Sequence, residues 1–335
     1  MLELRQALRS LGREPLFSAV DLTCTRDTPT SLLGLSPAGR DMTLRLLSGT
    51  ERLQGGEIRL DGRDILQARK GKGRILRVGP EGHPKSGQKV GKAVDAHHAA
   101  RVGLSERMAA TVASLDTEGR VRLALARALQ ARPTMLLLDA PASGLAPEAR
   151  ARIATGLGEM VAECGAVVVL LAGGADEAWG LGGQAVVLSD GRVQQAGSAG
   201  DVFGRPANLA SALATAWPAL NTVSMTMDRE RGRLADGSSL HPPEGLALPA
   251  AGPCVLAFRA DDSTLARETP GCVRFVVRAA GEEMIAGRTY ERLTFGGAVW
   301  LSPLVTAPPP PGAVLNLFVG RSKLLVFGSD GRLLG

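Results

Sequence analysis

Two short segments constrain this chain more than any others, Met135–Asp139 (MLLLD) and Ala166–Leu171 (AVVVLL). Neither alternates apolar with polar residues, so neither suits a strand with one face in water. Each reads as a strand buried on both faces, as in a parallel sheet with helices above and below. The flanking chain supplies those helices. Arg120–Gln130 is rich in strong helix formers and leads through Arg132-Pro133 into the first strand, and Glu148–Glu163 leads into the second. Thr30–Leu33 followed by Met42–Leu47, and then Ala185–Leu188, continue the alternation. Over residues 1–215 this predicts an α/β domain with a mainly parallel sheet. Gly56–Leu60 reads as a strand running into a hairpin-type turn at Asp61-Gly62, and Asp190-Gly191 as a second such turn. Residues 66–112 are frequent in Gly, Lys and His, and their periodicity is poor.

From about Asn221 the pattern changes to short alternating runs broken by Gly and Pro. Val255–Phe258, Val273–Val277, Val299–Leu301, Val314–Val319 and Leu324–Phe327 predict a small all-β domain, barrel or sandwich, over residues 221–335, with Pro308–Pro311 as a stiff connector.

Composition narrows the function. Hydrophobic residues are 44% and charged residues 21%, the balance of a chain with packed cores. No apolar run is long enough to span a bilayer, and the leading MLELRQALRS carries charge where a signal peptide needs an apolar stretch, so a cytoplasmic chain is expected. Cys24, Cys164, Cys254 and Cys272 lie far apart, without a C-x-x-C pair, and are expected to be reduced. The net charge of +6 is scattered and aromatic residues are 3%, which leaves no stacking platform, so no nucleic-acid partner is expected. His83, His97 and His98 have no acidic or Cys partner at metal spacing and read as surface loop histidines.

Several ordered strings carry more specific information: LLGLSPAGRDMTLRLLSG, GGEIRLDGRDI, RLALARALQARPTMLLLDAPASGLAPEARARI and VVLSDGRVQQAGSAGDVFGRPANL. Together they resemble the ATP-binding-cassette (ABC) transporter nucleotide-binding subunits, most closely the maltose and glycerol-phosphate type of sugar importer. LAFRADD and VLNLFVGRSKLLVFGSDGRLL are similar to segments of that subgroup's C-terminal β domain. The resemblance implies a P-loop NTPase fold over 1–215 and an OB- or TOBE-like regulatory and dimerisation domain over 221–335. It implies ATP and Mg²⁺ as cofactors, permease transmembrane subunits and a second ABC ATPase subunit as partners, and a place on the cytoplasmic face of the membrane. The stretch from Pro80 to Leu115, where this family carries its helical subdomain, is short for the subgroup.

The residues that would do the chemistry are mostly replaced. A P-loop needs G-x-x-x-x-G-K-[ST], with amides cradling phosphate, Lys reaching its oxygens and a hydroxyl on Mg²⁺. Here it reads Gly34-Leu35-Ser36-Pro37-Ala38-Gly39-Arg40-Asp41. Pro37 lacks an N–H, Arg40 is a wide fork in place of an ammonium, and Asp41 sets a carboxylate against a polyanion. Asp139, the position that holds Mg²⁺ through water in the family, is retained. The catalytic Glu position is Ala140 and the switch His position is Gly173, so neither is competent. By spacing, the family's glutamine falls near Pro80, its adenine-stacking aromatic on Leu11 and its D-loop aspartate on Ala146. The signature L-S-G-G-Q aligns with Leu115-Asp116-Thr117-Glu118-Gly119, whose two carboxylates suit a self-capped helix start and would repel phosphate. The expectation is a non-catalytic cassette subunit paired with an intact ATPase. Two alternatives remain open: slow hydrolysis through Arg40 and Asp139, and regulation through the C-terminal β domain.

Overall fold

The computed structural model describes residues 1–69, 75–79, 87–162, 164–229, 231–240, 248–266, 270–285, 287–304 and 307–334. They divide into two units, Met1–Gly204 and Arg205–Gly335. The first begins with strands β1 (Leu2–Leu11), β2 (Glu14–Cys24) and β3 (Thr30–Leu33), then α1 (Pro37–Leu47), β4 (Gly55–Leu60), β5 (Arg63–Asp64) and α2 (Ile65–Ala68). It continues through β6 (Ile75–Val78), α3 (Val90–Ala93), α4 (Ala96–Arg101), α5 (Thr117–Gln130), β7 (Met135–Asp139), α6 (Pro147–Val161) and β8 (Val167–Leu171). It ends with α7 (Ala175–Leu181), β9 (Gln184–Ser189), β10 (Arg192–Ser198) and α8 (Ala199–Gly204).

The two apolar segments are neighbours, β7 and β8, paired in parallel from Met135↔Val167 to Asp139↔Leu171. They sit inside a six-stranded sheet of order β10-β9-β3-β8-β7-β6, in which only β10 runs antiparallel. A second, antiparallel sheet of order β2-β1-β4-β5 faces it. Helix α1 lies in the core the two sheets share: Leu44, Leu46 and Leu47 pack with Leu2 and Phe17 from one and Val169 and Val186 from the other. Asp61 and Gly62 both take positive φ (51° and 75°), as do Asp190 and Gly191 (52° and 71°), the backbone of a tight hairpin turn. The β1–β2 pair has no counterpart in the sequence reading, because register shifts around Gln6, at φ 47°, break its alternation. His97 and His98 lie on α4, not in a loop, and His98 Nδ1 bonds the Asp95 carboxylate at 2.8 Å. The i,i+3 spacing that supplies this acidic partner is a helical one. His83 lies outside the described residues.

The second unit contains α9 (Leu209–Thr215), then β11 (Leu220–Asp228), β12 (Arg231–Leu234), β13 (Ser239–Leu240), β14 (Ala251–Arg259), β15 (Ser263–Thr264) and β16 (Cys272–Ile285). β17 (Arg288–Phe295), β18 (Ala298–Pro303), β19 (Val314–Gly320) and β20 (Leu325–Phe327) complete it. They form two five-stranded sheets, β13-β12-β11-β14-β20 and β15-β19-β16-β17-β18. Their inner faces meet in one core where Trp300, Phe258, Phe275 and Phe295 contact one another, and Trp300 Nε1 donates to Thr222 O at 2.9 Å. Helix α9 belongs with this unit, not with residues 1–215: Leu209 and Ala212 pack on Ala257 and Phe327. Among the described residues no helix is long and apolar enough to cross a membrane.

Candidate functional site

In a doubly covered parallel sheet, loops at the carboxyl ends of the strands are where ligands are met. Here the ends of β3, β7 and β8 bring the aligned positions together. Gly34 follows β3 at φ 83°, and a Cβ there would fall 2.2 Å from the Leu188 carbonyl oxygen, so only glycine fits. Beyond it the chain does not make an open loop. Helix α1 starts at Pro37, a favourable first helical residue, and Ser36 caps it. Ser36 Oγ accepts from Gly39 N at 3.1 Å and Ser36 O from Arg40 N at 2.8 Å. Three of the phosphate-facing candidates are thereby spoken for: Pro37 has no N–H, and the Gly39 and Arg40 amides are bonded. Asp41 is exposed and sits 3.3 Å from Arg45 on the same helix. Beside this turn a groove of about 330 Å³ is lined by Leu11, Leu16, Gly34 and Ser36, with Glu14 and Asp190 adding carboxylates where an anion would enter.

At the end of β7, Asp139 forms an ion pair with Arg77, the residue before Val78 at the end of β6. The carboxylate that would hold a cation is neutralised from within the sheet. The pair is 62 residues apart in sequence, so spacing did not reveal it. Pro80 lies outside the described residues, and Ala146 begins α6 with no side-chain cap.

Ala140 and Gly173, the catalytic Glu and switch His positions, are brought side by side. Ala140 takes a left-handed backbone, φ 41°. A Cβ on Gly173 would lie 2.8 Å from the Ala140 Cβ, a separation real side chains do not adopt. A residue the sequence reading missed holds this arrangement. Glu177 on α7 is fully buried. Its Oε1 accepts from Ala142 N and its Oε2 from Gly173 N, both at 2.6 Å. Burial pushes its carboxyl up to about 7, against the two amide donors and nearby Arg150, which favour the charged form. Arg150 in turn makes two 2.8 Å bonds to Asp176. In LAGGADEA the glutamate looks like any exposed helix residue; only its position facing two strand-end loops marks it out.

The signature-aligned segment is self-contained. Asp116 caps α5 by accepting from Gly119 N at 2.8 Å, and a Cβ on Gly119 would meet that carboxylate oxygen at 2.9 Å. Thr117 opens the helix and Leu115 is buried behind it. Glu118 is not a free repelling charge. Arg122 bonds it at 2.8 Å and Arg152 at 2.5 Å, and Arg152, with Arg122, holds its carboxyl below the usual range despite partial burial.

Residues 17–143 match the family model described as ABC transporter. The chain is 25% identical to the sn-glycerol-3-phosphate import ATP-binding protein UgpC 1 of Rhizobium johnstonii, over 94% of this chain and 92% of that protein. It is 31% identical to the Fe(3+) ions import ATP-binding protein FbpC of Streptomyces coelicolor over 62% of this chain, and 29% identical to the methionine import ATP-binding protein MetN of Rhizobium etli over 59%. It spans somewhat less than two thirds of the latter two, 65% and 61% of their lengths. Among solved structures, cbiO1 of Clostridium perfringens, part of the ABC transporter complex cbiONQ, superposes with a TM-score of 0.53 at 20% identity, over 61% of this chain and 90% of that one. MJ1267, an ATP-binding cassette of an ABC transporter, gives 0.51 at 14% identity, over 62% and 95%. The first unit therefore has the P-loop NTPase fold of the ABC ATPase subunits, and the chain is related in sequence to the ATP-binding subunits of importers.

Proposed function

We propose that this chain is a non-catalytic ATP-binding-cassette subunit of a membrane importer. In this reading it sits on the cytoplasmic face with permease subunits and a second, intact ATPase. The observation that carries it is the closed phosphate turn, in which Ser36 takes the amides of Gly39 and Arg40 behind a proline. A phosphate cradle requires those amides to point outward and unbonded. The Arg77–Asp139 pair, Ala140 and Gly173 support the same reading, since Mg²⁺ and a general base would each lack their group. The residues present do not suit Mg-ATP: Gly34, Ser36, Gly39, Arg40 and Asp41 are a vestigial site, and Asp139 is a magnesium position already occupied by a guanidinium.

The glycerol-phosphate importer subunit is matched over 94% of this chain, and so across both units, whereas the iron and methionine relatives are matched over 62% and 59% of it. This favours a sugar, polyol or glycerol-phosphate importer, with the second unit as an OB- or TOBE-like regulatory and pairing domain. The test is co-purification of the tagged full-length chain from its native cell. A permease together with an ATPase carrying an intact Lys-Ser/Thr P-loop is the expected result. Recovery of the chain as a homodimer that turns over ATP would replace this reading with slow hydrolysis.

A further inference from the structure

The second unit carries a groove of about 470 Å³ on the outer face of the β11–β12–β14 sheet. That volume is in the usual range for a small-molecule site. Strand alternation builds its floor. Met225, Leu234 and Cys254 put their side chains into the core, so Ser224, Thr226 and Arg233 face outward. Register then orders these groups. Arg233 stands opposite Thr226 and Thr226 opposite Pro253, while in the next row Ser224 stands opposite Val255 and Val255 opposite Phe327. In both rows polarity falls in the same direction, from β12 and β11 towards β14 and β20.

The walls are held by backbone bonds. Leu209, at the start of α9, donates its N–H to Gly331 O at 2.8 Å, and Gly331 N donates to Gly328 O at 2.9 Å, which fixes the turn that closes the apolar end. Among the described residues the Arg233 guanidinium and the Ser224 and Thr226 hydroxyls make no hydrogen bond or ion pair. Among the described residues no carboxylate lines the groove. An unpaired fork of donors at one end suits a carboxylate, and the hydroxyls extend that polar end. Pro253, Val255 and Leu209 offer apolar contact at the other, with Ser329 the one hydroxyl there among the described residues. An inorganic oxyanion would leave that half empty, and an amine would meet Arg233 with like charge.

We propose that this groove binds a small amphipathic organic carboxylate, its head on Arg233 and Thr226 and its hydrocarbon portion over Val255 and Leu209. The site is independent of the nucleotide-site remnant and of whether the chain pairs with another ATPase. The probes are hexanoate, hexanol, hexylamine and inorganic phosphate, titrated into the full-length chain with methyl-labelled methionine and followed by NMR. Met225 lies between Ser224 and Thr226 on β11 and contributes backbone to the groove floor, so its core-facing methyl reports on the site from beneath. Hexanoate is expected to shift the Met225 methyl saturably, and the other three probes much less. Arg233→Gln should weaken hexanoate about tenfold, the scale of one charge-assisted bond, with other methionine signals unchanged. Thr226→Val, which keeps shape at an exposed position, should weaken it by a smaller factor. Equal responses to hexanol or hexylamine, a phosphate response matching hexanoate, or full affinity in Arg233→Gln would each overturn the proposal.

Discussion

The backbone N–H of Gly173 donates to Glu177 Oε2 at 2.6 Å, and the other oxygen of that carboxylate holds Ala142 N at the same distance. One buried side chain thus ties the loop after β7 to the loop after β8. Its carboxyl is raised from 4.5 to about 7 by burial. Between those values the native state keeps a proton that the unfolded chain has released, so stability falls as pH rises through this window and levels off above it. The effect is at most about 3 kcal/mol. Relative to Glu177→Gln, the melting temperature of the parent should decline from about pH 5 to about pH 7. Parallel curves for the two proteins would show that Glu177 does not titrate there.

Gly173 cannot accept a side chain while Ala140 keeps its own, since the two Cβ atoms would be 2.8 Å apart. Gly173→His should therefore destabilise by about 1–3 kcal/mol, the usual scale of overpacking. Ala140→Gly alone should be near neutral. Relief of the left-handed backbone at φ 41°, worth roughly 1 kcal/mol, offsets a lost buried methyl of similar size. Combined, the two changes should cost less than their sum, and denaturant unfolding of the four-protein cycle measures that coupling.

The same crowding bears on repair. A chain carrying Arg40→Lys, Asp41→Thr, Ala140→Glu and Gly173→His should show no robust ATPase activity, because Pro37 still closes the turn and Asp116 still occupies the α5 start. Groups that act as a unit do not recover singly. Steady phosphate release by the purified quadruple variant would refute this.

Arg122 and Arg152 both bond Glu118, but unequally. The Arg122 side chain is 17% exposed and also donates to Val102 O at 2.7 Å, whereas that of Arg152 is 57% exposed. Arg122→Ala should cost about 2 kcal/mol, since it strands a half-buried carbonyl and weakens a screened pair. Arg152→Ala should cost clearly less, since water screens an exposed guanidinium. Urea midpoints decide the order, and equal losses would contradict the burial argument.

Where the chain is cut should matter for the second unit. A fragment beginning at Arg205 keeps α9 over Ala257 and Phe327, both fully buried. One beginning at Asn221 uncovers them and should be less stable by about 2–4 kcal/mol, on the scale of losing two or three buried apolar side chains. Thermal melts of both fragments check this.

Fully apolar strands and glycine turns were legible because burial on both faces and positive φ leave marks on single residues: β7, β8, Asp61-Gly62 and Asp190-Gly191 could be read directly. The capped start of α5 was legible for the same reason, in Asp116. What spacing hid were relations between distant residues. Arg77 reaching Asp139, Arg152 reaching Glu118 and Glu177 reaching Ala142 each depend on which strands, helices and loops the fold makes neighbours. The β1–β2 pair escaped because bulges scramble a period-two pattern, and α9 because a short apolar helix says nothing about which neighbour it covers.

The bonds from Leu209 N to Gly331 O and from Leu333 N to Ala207 O fasten the first turn of the second unit to its last residues. Tension applied between those two points loads these bonds before any interior strand, so the β structure is shielded from pull at its ends. The joined ends also make the unit a candidate for circular permutation: linking residue 334 back to residue 205 and opening the chain at a hairpin such as Gly296-Gly297 would leave every sheet pairing in place.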